Sequence, residues 1–496
     1  MKLRDLLRGV PVRASHGNLD VEISAVVADS RLAVRGSLFV AIPGLQHDGA
    51  KFVPSAIEKG AVAVVCGAAA SQADDDGLRA RRSTYIEVDD PRAALALIAA
   101  NFYGRPADKL SLVGVTGTSG KTTTTRMIES IFDASGKPVG LIGTIEYRAG
   151  DERLMADRTT PDAVILHQWF AKMVEAGVKH AVMEVSSHAL ALERTFGIRF
   201  AAAVFTNLSQ DHFDFHKDFE DYYAAKRTLF DQVENANHAV INADDAYGRR
   251  LIKELGPKPI TFGERGDIRP AKGFEISTRG LRGTLHSPAG DIRVDSPLLG
   301  RPNLYNWMAA AGAAIVVGIK QRQIEAGMRN LRLVRGRFEY VESDGGPAVI
   351  VDYAHKPDAL EKLLHAVRDL AGKKRVVVVF GCGGDRDRDK RPKMGRIATE
   401  LADFTILTSD NPRSEKPDAI IDDIERGARA GGGKYIRITD RRQAIARAID
   451  EASDDDIIVI AGKGHESYQV VGDQVMHFDD REEAELVLKK RHEKTA

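Results

Sequence analysis

The sequence predicts an α/β protein built on parallel sheets, and three observations lead to this prediction. Short apolar segments alternate with helix-like segments along most of the chain, as expected for parallel strands joined by crossover helices. One apolar segment, SLVGV, runs directly into a glycine-rich loop that opens a helix-like stretch. The chain has 496 residues, which is too long for one ordinary core, so we expect two to four domains.

Changes in this pattern predict three domains. Residues 21–65 alternate short apolar runs with a helix-like stretch at residues 52–59, which indicates a small α/β domain. The helix-like ALALIAANFYG and the following Arg105 and Pro106 predict a linker. The strand-like segments are KPVGLIG, HAVMEVS, AAVFTN and HAVIN in a central sheet, and AVIVDYA, RVVVVFGCGG, FTILTSD and DDIIVIAGKG in a third segment. We therefore expect domains at residues 1–107, 108–333 and 334–496, the last one Rossmann-like.

Composition and charge exclude several classes of protein. The 71 basic and 71 acidic residues cancel, which removes any argument from net charge for a nucleic-acid partner or an anionic membrane. The two cysteines, Cys66 and Cys382, are far apart and outside any CxxC motif, so neither a disulfide framework nor a zinc site is indicated. The start, MKLRDLLRGV, lacks a secretory hydrophobic region, and the apolar residues 308–319 are too few to span a bilayer. We expect a cytoplasmic monomer without membrane insertion.

The segment LVGVTGTSGKTTT, residues 112–124, predicts a phosphate-binding loop between a strand and a helix. This arrangement points backbone N–H groups and a helix N-terminus at a phosphate. Lys121 adds a charge for the outer phosphates, and the Thr122 hydroxyl can reach a magnesium ion. A tight turn with an incidental lysine is the alternative, but Gly-Lys-Thr after an apolar strand favours ATP binding. The predicted ATP contacts in this loop are Gly114, Val115, Thr116, Gly117, Thr118, Ser119, Gly120, Lys121, Thr122 and Thr123.

The loop by itself leaves the reaction open. Its glycines stand at positions 114, 117 and 120, and Val115 occupies the position of the first glycine of the usual P-loop motif. Kinases, ATPases and ligases all polarise the same γ-phosphate. The rest of the sequence must therefore decide between them.

Seven motifs along the chain resemble those of the Mur ligases, and the match covers nearly the whole chain in order. The motifs are TGTSGKTTT (116–124), MEVSSHAL (183–190), TNLSQDHFDFH (206–216), GRPNLYNWMAA (300–310), GRFE (336–339), VDYAHKPDAL (351–360) and AGKGHE (461–466). The resemblance implies three domains, which hold a UDP-linked substrate, ATP and an incoming amino acid, and which close on one another. The offset glycines of the loop are also what this family has.

Two further segments indicate which amino acid is added. GCGGDRDRDKRP (381–392) and DNPR (410–413) resemble the family members that use meso-2,6-diaminopimelate. The resemblance implies ADP-forming ligation of this amino acid to the D-Glu side-chain carboxylate of UDP-N-acetylmuramoyl-L-Ala-D-Glu, through an acyl phosphate, in peptidoglycan precursor synthesis. The alternatives are the same ligation with L-lysine, a folylpolyglutamate synthetase-like ligase and, from another class, a P-loop kinase.

The resemblance also implies a magnesium site that includes a modified lysine. Glu184, at the end of an apolar strand, would supply a carboxylate oxygen, the kind of ligand that Mg²⁺ prefers. His212 resembles the histidine that binds a second magnesium ion. Lys226 aligns with a lysine that CO₂ carbamylates, and a carbamate can bind a metal ion that would repel a free ammonium. The predicted catalytic residues are Lys121, Glu184, His212 and carbamylated Lys226, and the predicted metal ligands are Thr122, Glu184, His212 and Lys226.

The other binding residues follow from the same resemblance. For ATP they are Asn303, Asn306, Arg337, Asp352 and His355. For the UDP-muramoyl dipeptide they are Ala28, Ser30, Leu45, Gln46, His47, Arg158, Thr159, Thr160, Ser186 and Arg194, while Leu192 stands where some relatives carry glutamine. For diaminopimelate they are Arg386, Asp410, Asn411, Pro412, Arg413, Gly462 and Glu466. Arg413 carries the specificity, because an arginine grips a second carboxylate with two hydrogen bonds, and a buried unpaired guanidinium penalises lysine.

Overall fold

The protein is described from a computed structural model, which covers residues 1–44, 48–67, 83–341 and 346–495. The chain forms two compact units. The first contains Met1–Asp267 and Ala309–Ile324, and the second contains Ile268–Met308 and Glu325–Ala496.

The first unit begins with a five-stranded sheet in the order β1-β5-β4-β3-β2, in which only β1 runs antiparallel to its neighbour. Its strands are β1 (Val12–His16), β2 (Ala25–Val27), β3 (Ser37–Val40), β4 (Ala61–Gly67) and β5 (Thr84–Val88), and its helices are α1 (Leu3–Leu6), α2 (Val53–Glu58) and α3 (Pro91–Phe102). Asp90 caps α3 by accepting hydrogen bonds from the Arg92 and Ala93 amides at 2.7 and 3.2 Å. All four residues of β3 are buried, as expected of a parallel strand covered on both faces.

An eight-stranded sheet follows in the order β13-β12-β11-β6-β10-β7-β8-β9. The strands are β6 (Ser111–Thr116), β7 (Val139–Ile142), β8 (Glu146–Ala149), β9 (Glu152–Met155), β10 (His180–Glu184), β11 (Ala202–Phe205), β12 (Ala239–Asn242) and β13 (Ile260–Phe262). The helices are α4 (Lys121–Asp133), α5 (Ala163–Glu175), α6 (Ser187–Ala191), α7 (Phe219–Arg227) and α8 (Ala246–Leu255). Strands β10 and β11 flank β6 on opposite sides. The carboxyl end of β6 is therefore at the topological switch point, where open α/β sheets bind ligands.

A small antiparallel sheet opens the second unit. Its strands are β14 (Arg269–Pro270), β15 (Glu275–Ser277), β16 (Gly280–His286) and β17 (Ile292–Ser296), and β16 pairs with the other three. Helices α9 (Gly300–Val316) and α10 (Gln321–Asn330) come next. The buried Trp307 indole donates a hydrogen bond to the Ser296 hydroxyl at 2.9 Å, which joins the middle of α9 to the end of β17.

The second unit continues with a six-stranded sheet in the order β18-β19-β23-β20-β21-β22, parallel except for β18. The strands are β18 (Glu339–Val341), β19 (Ala348–Asp352), β20 (Val376–Phe380), β21 (Phe404–Leu407), β22 (Tyr435–Arg437) and β23 (Ile457–Ala461), followed by the hairpin β24 (Tyr468–Val471) and β25 (Gln474–His477). The helices are α11 (Pro357–Ala371), α12 (Lys390–Leu401), α13 (Pro417–Gly431), α14 (Arg441–Asp450) and α15 (Asp480–Thr495). Alternate residues of β20 enter two separate apolar clusters, so both faces of this sheet are covered.

The predicted α/β fold with parallel sheets is confirmed. The apolar segments identified in the sequence form strands β3, β4, β6, β7, β10 to β12, β19 to β21 and β23. The hairpin β8–β9 and the sheet β14–β17 are not predicted, because strands such as the fully exposed β9 lack an apolar pattern. The predicted domain limits near residues 107 and 333 stay a prediction. Within the described ranges, no helix is long and apolar enough to cross a bilayer.

Candidate functional site

The predicted phosphate loop lies at the carboxyl end of β6 and leads into α4. Gly120, with φ of 84°, precedes the first turn of this helix. The Lys121 ammonium donates hydrogen bonds to the carbonyls of Gly117 and Thr118 at 2.8 and 3.0 Å, so the side chain folds back over the loop. Gly117 has φ of 146°, and a Cβ there would lie 1.9 Å from the Thr206 hydroxyl oxygen. The loop can therefore take this shape only with glycine at position 117.

Residues after β11 hold the phosphate loop in place. The Ser119 amide donates to the Asn207 side-chain oxygen at 3.0 Å, and the Thr118 amide donates to the Asn207 carbonyl at 2.9 Å. The Thr206 hydroxyl donates to the Ser119 carbonyl at 2.7 Å. The sequence prediction includes the motif TNLSQDH but assigns no role to Thr206 or Asn207. A polar pair directly after a buried strand was the signal that could have identified them.

Glu184 ends β10 next to this loop and is 1% exposed. Its Oε2 accepts hydrogen bonds from the hydroxyls of Thr122 and Thr144, both at 3.0 Å. Its Oε1 accepts a third hydrogen bond from the Thr144 amide at 2.8 Å. Because a buried carboxylate is costly without donors, these residues fix its position. Thr144 is missing from the sequence prediction, although it follows β7 at the same edge of the sheet.

The predicted peptide contacts are joined to the same glutamate. The Thr159 hydroxyl lies 3.0 Å from that of Thr144, and the Thr160 hydroxyl donates to the Glu184 carbonyl at 2.8 Å. The Ser186 amide donates to the Thr160 hydroxyl at 3.1 Å. The structure thus places the two threonines and Ser186 within one hydrogen-bond network around Glu184.

Two arginines belong to the same region. Arg194 donates from Nη1 to the Thr160 carbonyl at 2.7 Å. Burial, helped by the nearby Arg158 charge, lowers the pKa of the Arg194 guanidinium. The Arg158 carbonyl accepts a hydrogen bond from the Tyr147 hydroxyl at 2.5 Å. Two cations near a threonine pair suit an anionic substrate group.

Lys226 lies in α7 and is 1% exposed. Its ammonium donates to the Gly117 carbonyl at 2.9 Å, the same oxygen that Lys121 contacts, and it lies 4.5 Å from the centre of the Tyr222 ring. Burial, together with the Lys121 charge, holds the pKa of Lys226 well below its usual range. Burial and the Lys121 charge thus both disfavour the charged form of this amine.

His212 lies in the loop after β11 with φ of 57°. Its Nε2 is 3.3 Å from the Asp211 carboxylate. Its ring is 6.2 Å from the Tyr222 ring, which also contacts the Lys226 ammonium. The Tyr222 ring therefore lies near two of the predicted metal ligands, His212 and Lys226.

The oxygen atoms beside the loop fit a magnesium ion. The Thr122 hydroxyl and the Glu184 carboxylate are already neighbours, and Mg²⁺ usually completes its shell with waters and substrate phosphates. Among the residues that the structure describes, no group of three or more His, Cys, Asp and Glu side chains could hold a metal.

Of the predicted UDP contacts, only Ala28 and Ser30 belong to the described part of the first, five-stranded sheet and its loops. Ala28 follows β2, and the buried Ser30 begins a short helical turn that the Asp29 carboxylate caps. Leu45, Gln46 and His47 lie outside the described residues.

The other predicted ATP contacts belong to the second unit. In α9, Asn303 Nδ2 donates to the Leu299 carbonyl at 2.8 Å, and Asn306 Nδ2 donates to Asn303 Oδ1 at 3.4 Å. Asp352 ends β19 and accepts from the Phe338 and Ala354 amides at 2.7 and 2.8 Å.

An aromatic cluster adjoins this aspartate. The Arg337 guanidinium lies 4.9 Å from the centre of the Tyr353 ring, and the His355 ring lies 4.5 Å from the same centre. Burial, with Lys390 nearby, lowers the pKa of His355 to about 4, so this imidazole is neutral at neutral pH. Burial raises the pKa of Asp352, although the Arg337 charge opposes this.

Arg413 is positioned by the hairpin β24–β25. Its amide donates to the Val470 carbonyl at 3.0 Å, and its carbonyl accepts from the Gly472 amide at 2.7 Å. Its Nη1 donates to the Gly384 carbonyl at 2.8 Å. A Cβ on Gly384 would lie 1.9 Å from the Pro412 carbonyl oxygen. The GCGGDRD and DNPR segments, far apart in sequence, are therefore in direct backbone contact.

The other predicted amino-acid contacts lie around this point. A Cβ on Gly383 would lie 2.9 Å from Arg413 Nη1 and 3.8 Å from Arg386 Cγ, so both arginines flank one glycine. Asn411 Nδ2 donates to Glu466 Oε2 at 2.9 Å. Gly462 lies next to Asp410, since a Cβ on Gly462 would be 2.7 Å from Asp410 Oδ2.

The predicted site residues thus form two groups. In the first unit, Thr122, Glu184 and Thr160 share one hydrogen-bond network. Lys226 contacts the Gly117 carbonyl of the phosphate loop, and His212 lies beside Asp211. The diaminopimelate residues are brought together in the second unit, which also contains the five ATP residues from Asn303 to His355.

Three family models match the chain in order. They are described as "Mur ligase family, catalytic domain" over residues 22–103, "Mur ligase middle domain" over residues 115–314, and "Mur ligase, glutamate ligase domain" over residues 336–464.

Full-length relatives are similar to the chain as well. A protein from Gloeobacter violaceus named UDP-N-acetylmuramoyl-L-alanyl-D-glutamate--2,6-diaminopimelate ligase is 47% identical over 99% of each chain. A protein of the same name from Clostridium tetani is 44% identical over 97% of this chain and 98% of its own. A solved structure of a ligase with this name is 32% identical, covers 99% of both chains and has a TM-score of 0.69.

Replacing Gly117 by alanine tests the shape of the phosphate loop. We expect Gly117→Ala to weaken nucleotide binding about tenfold or more, because the added methyl group meets the Thr206 hydroxyl and strained backbone costs about 1–3 kcal/mol. The ADP-induced rise in Tm measures the binding. Gly136→Ala is the matched control, since Gly136 also has positive φ but nothing within 4 Å of an added Cβ. Equal ADP-induced shifts in the two variants would contradict this description of the loop.

Proposed function

Because this chain belongs to the Mur ligase family, we propose that it is the ADP-forming ligase that adds meso-2,6-diaminopimelate to UDP-N-acetylmuramoyl-L-Ala-D-Glu. Relatives that carry this activity in their names match the chain over nearly its full length. The product is a peptidoglycan precursor. ATP and the UDP-linked precursor are cytoplasmic compounds, so we propose that the protein acts in the cytoplasm, as a monomer.

The observation that carries this proposal is the position of Glu184. Its side chain accepts from Thr122 of the phosphate loop, and its carbonyl accepts from Thr160 of the predicted peptide contacts. A ligase needs the γ-phosphate and the acceptor carboxylate side by side. A kinase also places an acceptor beside the γ-phosphate, but it would not need the predicted amino-acid residues of the second unit, such as Arg413 and Glu466.

The reaction must activate a carboxylate, because joining it to an amine is uphill at neutral pH. A D-Glu carboxylate oxygen attacks the γ-phosphorus of ATP, the bond to the bridging oxygen breaks, and ADP leaves. The diaminopimelate amine then attacks the carbonyl carbon of the acyl phosphate and loses a proton, and inorganic phosphate leaves. No enzyme nucleophile is required, so the side chains act by positioning and by neutralising charge.

The residues of the first unit serve the phosphoryl transfer. The segment from Gly114 to Thr123 would bind the phosphates with the N-terminus of α4 and the Lys121 ammonium, while the Thr118 and Ser119 amides donate to Asn207. Thr122, Glu184, His212 and carbamylated Lys226 would hold Mg²⁺, whose charge, when bound, stabilises the transferring phosphoryl group. Arg158, Thr159, Thr160, Ser186 and Arg194 orient the muramoyl dipeptide, whose UDP group binds at Ala28, Ser30 and residues 45–47.

The residues of the second unit serve the nucleotide and the incoming amino acid. Asn303, Asn306, Arg337, Asp352 and His355 contact ATP. Arg413 and Arg386 bind the second carboxylate of diaminopimelate, and Asp410, Asn411, Pro412, Gly462 and Glu466 orient its amino-acid end. The three substrates correspond to the three proposed domains at residues 1–107, 108–333 and 334–496.

The activity itself is tested by measuring ADP release. The wild-type protein should release ADP with Mg²⁺, ATP and UDP-N-acetylmuramoyl-L-Ala-D-Glu only when meso-diaminopimelate is added. L-Lysine should give a much lower kcat/KM, because it lacks the carboxylate that Arg413 binds. Faster turnover with L-lysine would establish the lysine-adding ligase instead, and ADP release that no amino acid affects would indicate a kinase or an ATPase.

Removing the Arg413 guanidinium tests the specificity. We expect Arg413→Ala to raise KM for meso-diaminopimelate by about thirtyfold or more, since losing one partner of a buried charge pair costs about 2–5 kcal/mol. KM for ATP and for the UDP substrate should change little. Arg426→Ala is the control, because that side chain is 72% exposed. Equal weakening of all three substrates in Arg413→Ala would contradict the assignment.

The Lys226 carbamate can be tested directly. A carbamate forms from a neutral amine and CO₂, and burial together with the Lys121 charge lowers the pKa of Lys226, which is the direction that favours the neutral amine. We expect the protein to lose about tenfold or more of its kcat when CO₂ is removed and to regain it with bicarbonate. Labelling with ¹³C-bicarbonate should give a carbamate NMR signal that is missing in Lys226→Ala. Full activity of protein whose intact mass shows an unmodified Lys226 would rule the carbamate out.

A further inference from the structure

Two buried cations lie behind the amino-acid residues of the second unit, and the proposed function gives neither of them a role. The Lys463 side chain is 0% exposed, and Arg441 is 2% exposed. Burying a charge is costly unless partners compensate it. The partners of these two side chains are therefore informative.

Arg441 joins the two backbone segments that carry the pocket residues. Its Nη1 donates to the Ser409 carbonyl at 3.3 Å, and its Nη2 donates to the Ala461 carbonyl at 3.0 Å. These carbonyls come directly before Asp410 and Gly462. Two further hydrogen bonds of 2.7 Å to the Asp480 carboxylate fix the guanidinium. Arg441 thus holds both segments at a set distance from each other.

Lys463 orients the amide of Asn411. Its ammonium donates to Asn411 Oδ1 at 3.2 Å, and the Val470 amide donates to the same oxygen at 3.0 Å. With two donors on its oxygen, the Asn411 amide must turn its NH₂ group to the other side, where it donates to Glu466 at 2.9 Å. The Lys463 ammonium also lies 3.5 Å from Glu466 Oε2.

The charges around Glu466 depend on the same two cations. Burial, and then the nearby Asp410 carboxylate, raise the pKa of Glu466, while Lys463 and the Asn411 amide lower it. Arg441 is close enough for Asp410 and Glu466 to raise its own pKa. Tyr353 and Tyr468 also face this carboxylate, and its charge raises their pKa values. Lys463 and the Asn411 amide thus favour ionised Glu466, against burial and Asp410.

We propose that Lys463 and Arg441 are positioning residues for the incoming amino acid. Lys463 sets the orientation of Asn411 and the charge of Glu466, and Arg441 sets the spacing between Asp410 and Gly462. This proposal rests on the proposed function, because it takes Asp410, Asn411 and Glu466 as the residues that bind the amino-acid end of diaminopimelate. A purely structural pair would affect folding without affecting one substrate more than another.

The test compares Lys463→Met with the wild-type protein in the ADP-release assay. We expect KM for meso-diaminopimelate to rise about tenfold or more, since a hydrogen bond to a charged group contributes about 1.5–3 kcal/mol. KM for ATP should stay within about twofold, a change of less than 0.5 kcal/mol. The acid limb of kcat/KM for diaminopimelate should move to higher pH, because the variant lacks the cation that lowers the pKa of Glu466. Lys374→Met, at a 46% exposed side chain of the same unit, is the control and should match the wild type.

Arg441→Lys tests the second residue. A lysine keeps the charge but cannot bind Asp480 and both carbonyls at once, so KM for diaminopimelate should rise about tenfold or more. Arg442→Met, at the neighbouring 62% exposed arginine, should leave it unchanged. If Lys463→Met does not fold, Lys463→Gln is used instead, because it keeps a hydrogen-bond donor for Asn411 but lacks the charge. The proposal then requires that the acid limb of kcat/KM for diaminopimelate moves to higher pH in Lys463→Gln.

The outcomes separate this proposal from the proposed function. If the wild-type protein releases ADP only with diaminopimelate and the variants show the selective rise in KM, the proposal holds. If the wild-type protein behaves this way but folded Lys463 and Arg441 variants change the KM values of ATP and diaminopimelate equally, or leave the acid limb in place, the proposal is wrong and the function stands. ADP release that is independent of any amino acid overturns the proposed function first.

Discussion

The buried carboxylate of Glu184 is the constraint on which the catalytic half of the molecule depends. A carboxylate without solvent must be surrounded by donors, and here they come from the phosphate loop and from the residues after β7. The Glu184 backbone carbonyl accepts a hydrogen bond from the Thr160 hydroxyl, which in turn accepts one from the Ser186 amide. Three segments distant in sequence are thereby held at one edge of the central sheet. In the proposed function, this arrangement would bring the transferring phosphate and the acceptor carboxylate to one place, as a ligase requires.

In the second unit, buried cations and close backbone contacts hold the predicted amino-acid residues in place. The contact of Gly384 with the Pro412 carbonyl and the pairing of Arg413 with the hairpin β24–β25 fix Arg413, the residue that we propose to determine specificity. Arg441 and Lys463 fix the carbonyls and the amide behind it. Hydrogen bonds and close backbone contacts thus hold the predicted amino-acid residues in place, and such preorganisation limits the loss of conformational entropy when a ligand binds.

The parts that the sequence predicts are those encoded locally. The strand, loop and helix of residues 112–124, and the apolar strands of both large sheets, can be identified because each has a short and strong pattern. Thr144, Arg441 and Lys463 could not be found in this way, because their roles arise from contacts with residues that are distant in the chain. Strands such as β9, which is fully exposed, have no apolar pattern to reveal them. The motifs of the family supplied the predicted substrates, which no local pattern specifies.

The central claim is that the D-Glu carboxylate attacks the γ-phosphate of ATP beside Glu184. Its most direct test uses UDP-N-acetylmuramoyl-L-Ala-D-Glu with ¹⁸O in the side-chain carboxylate. The oxygen that bonds to phosphorus leaves with the phosphate when the amine attacks, so each turnover should transfer one ¹⁸O atom into inorganic phosphate. Phosphate released without label during amide formation would contradict the acyl-phosphate mechanism, and with it the role that we give to this site.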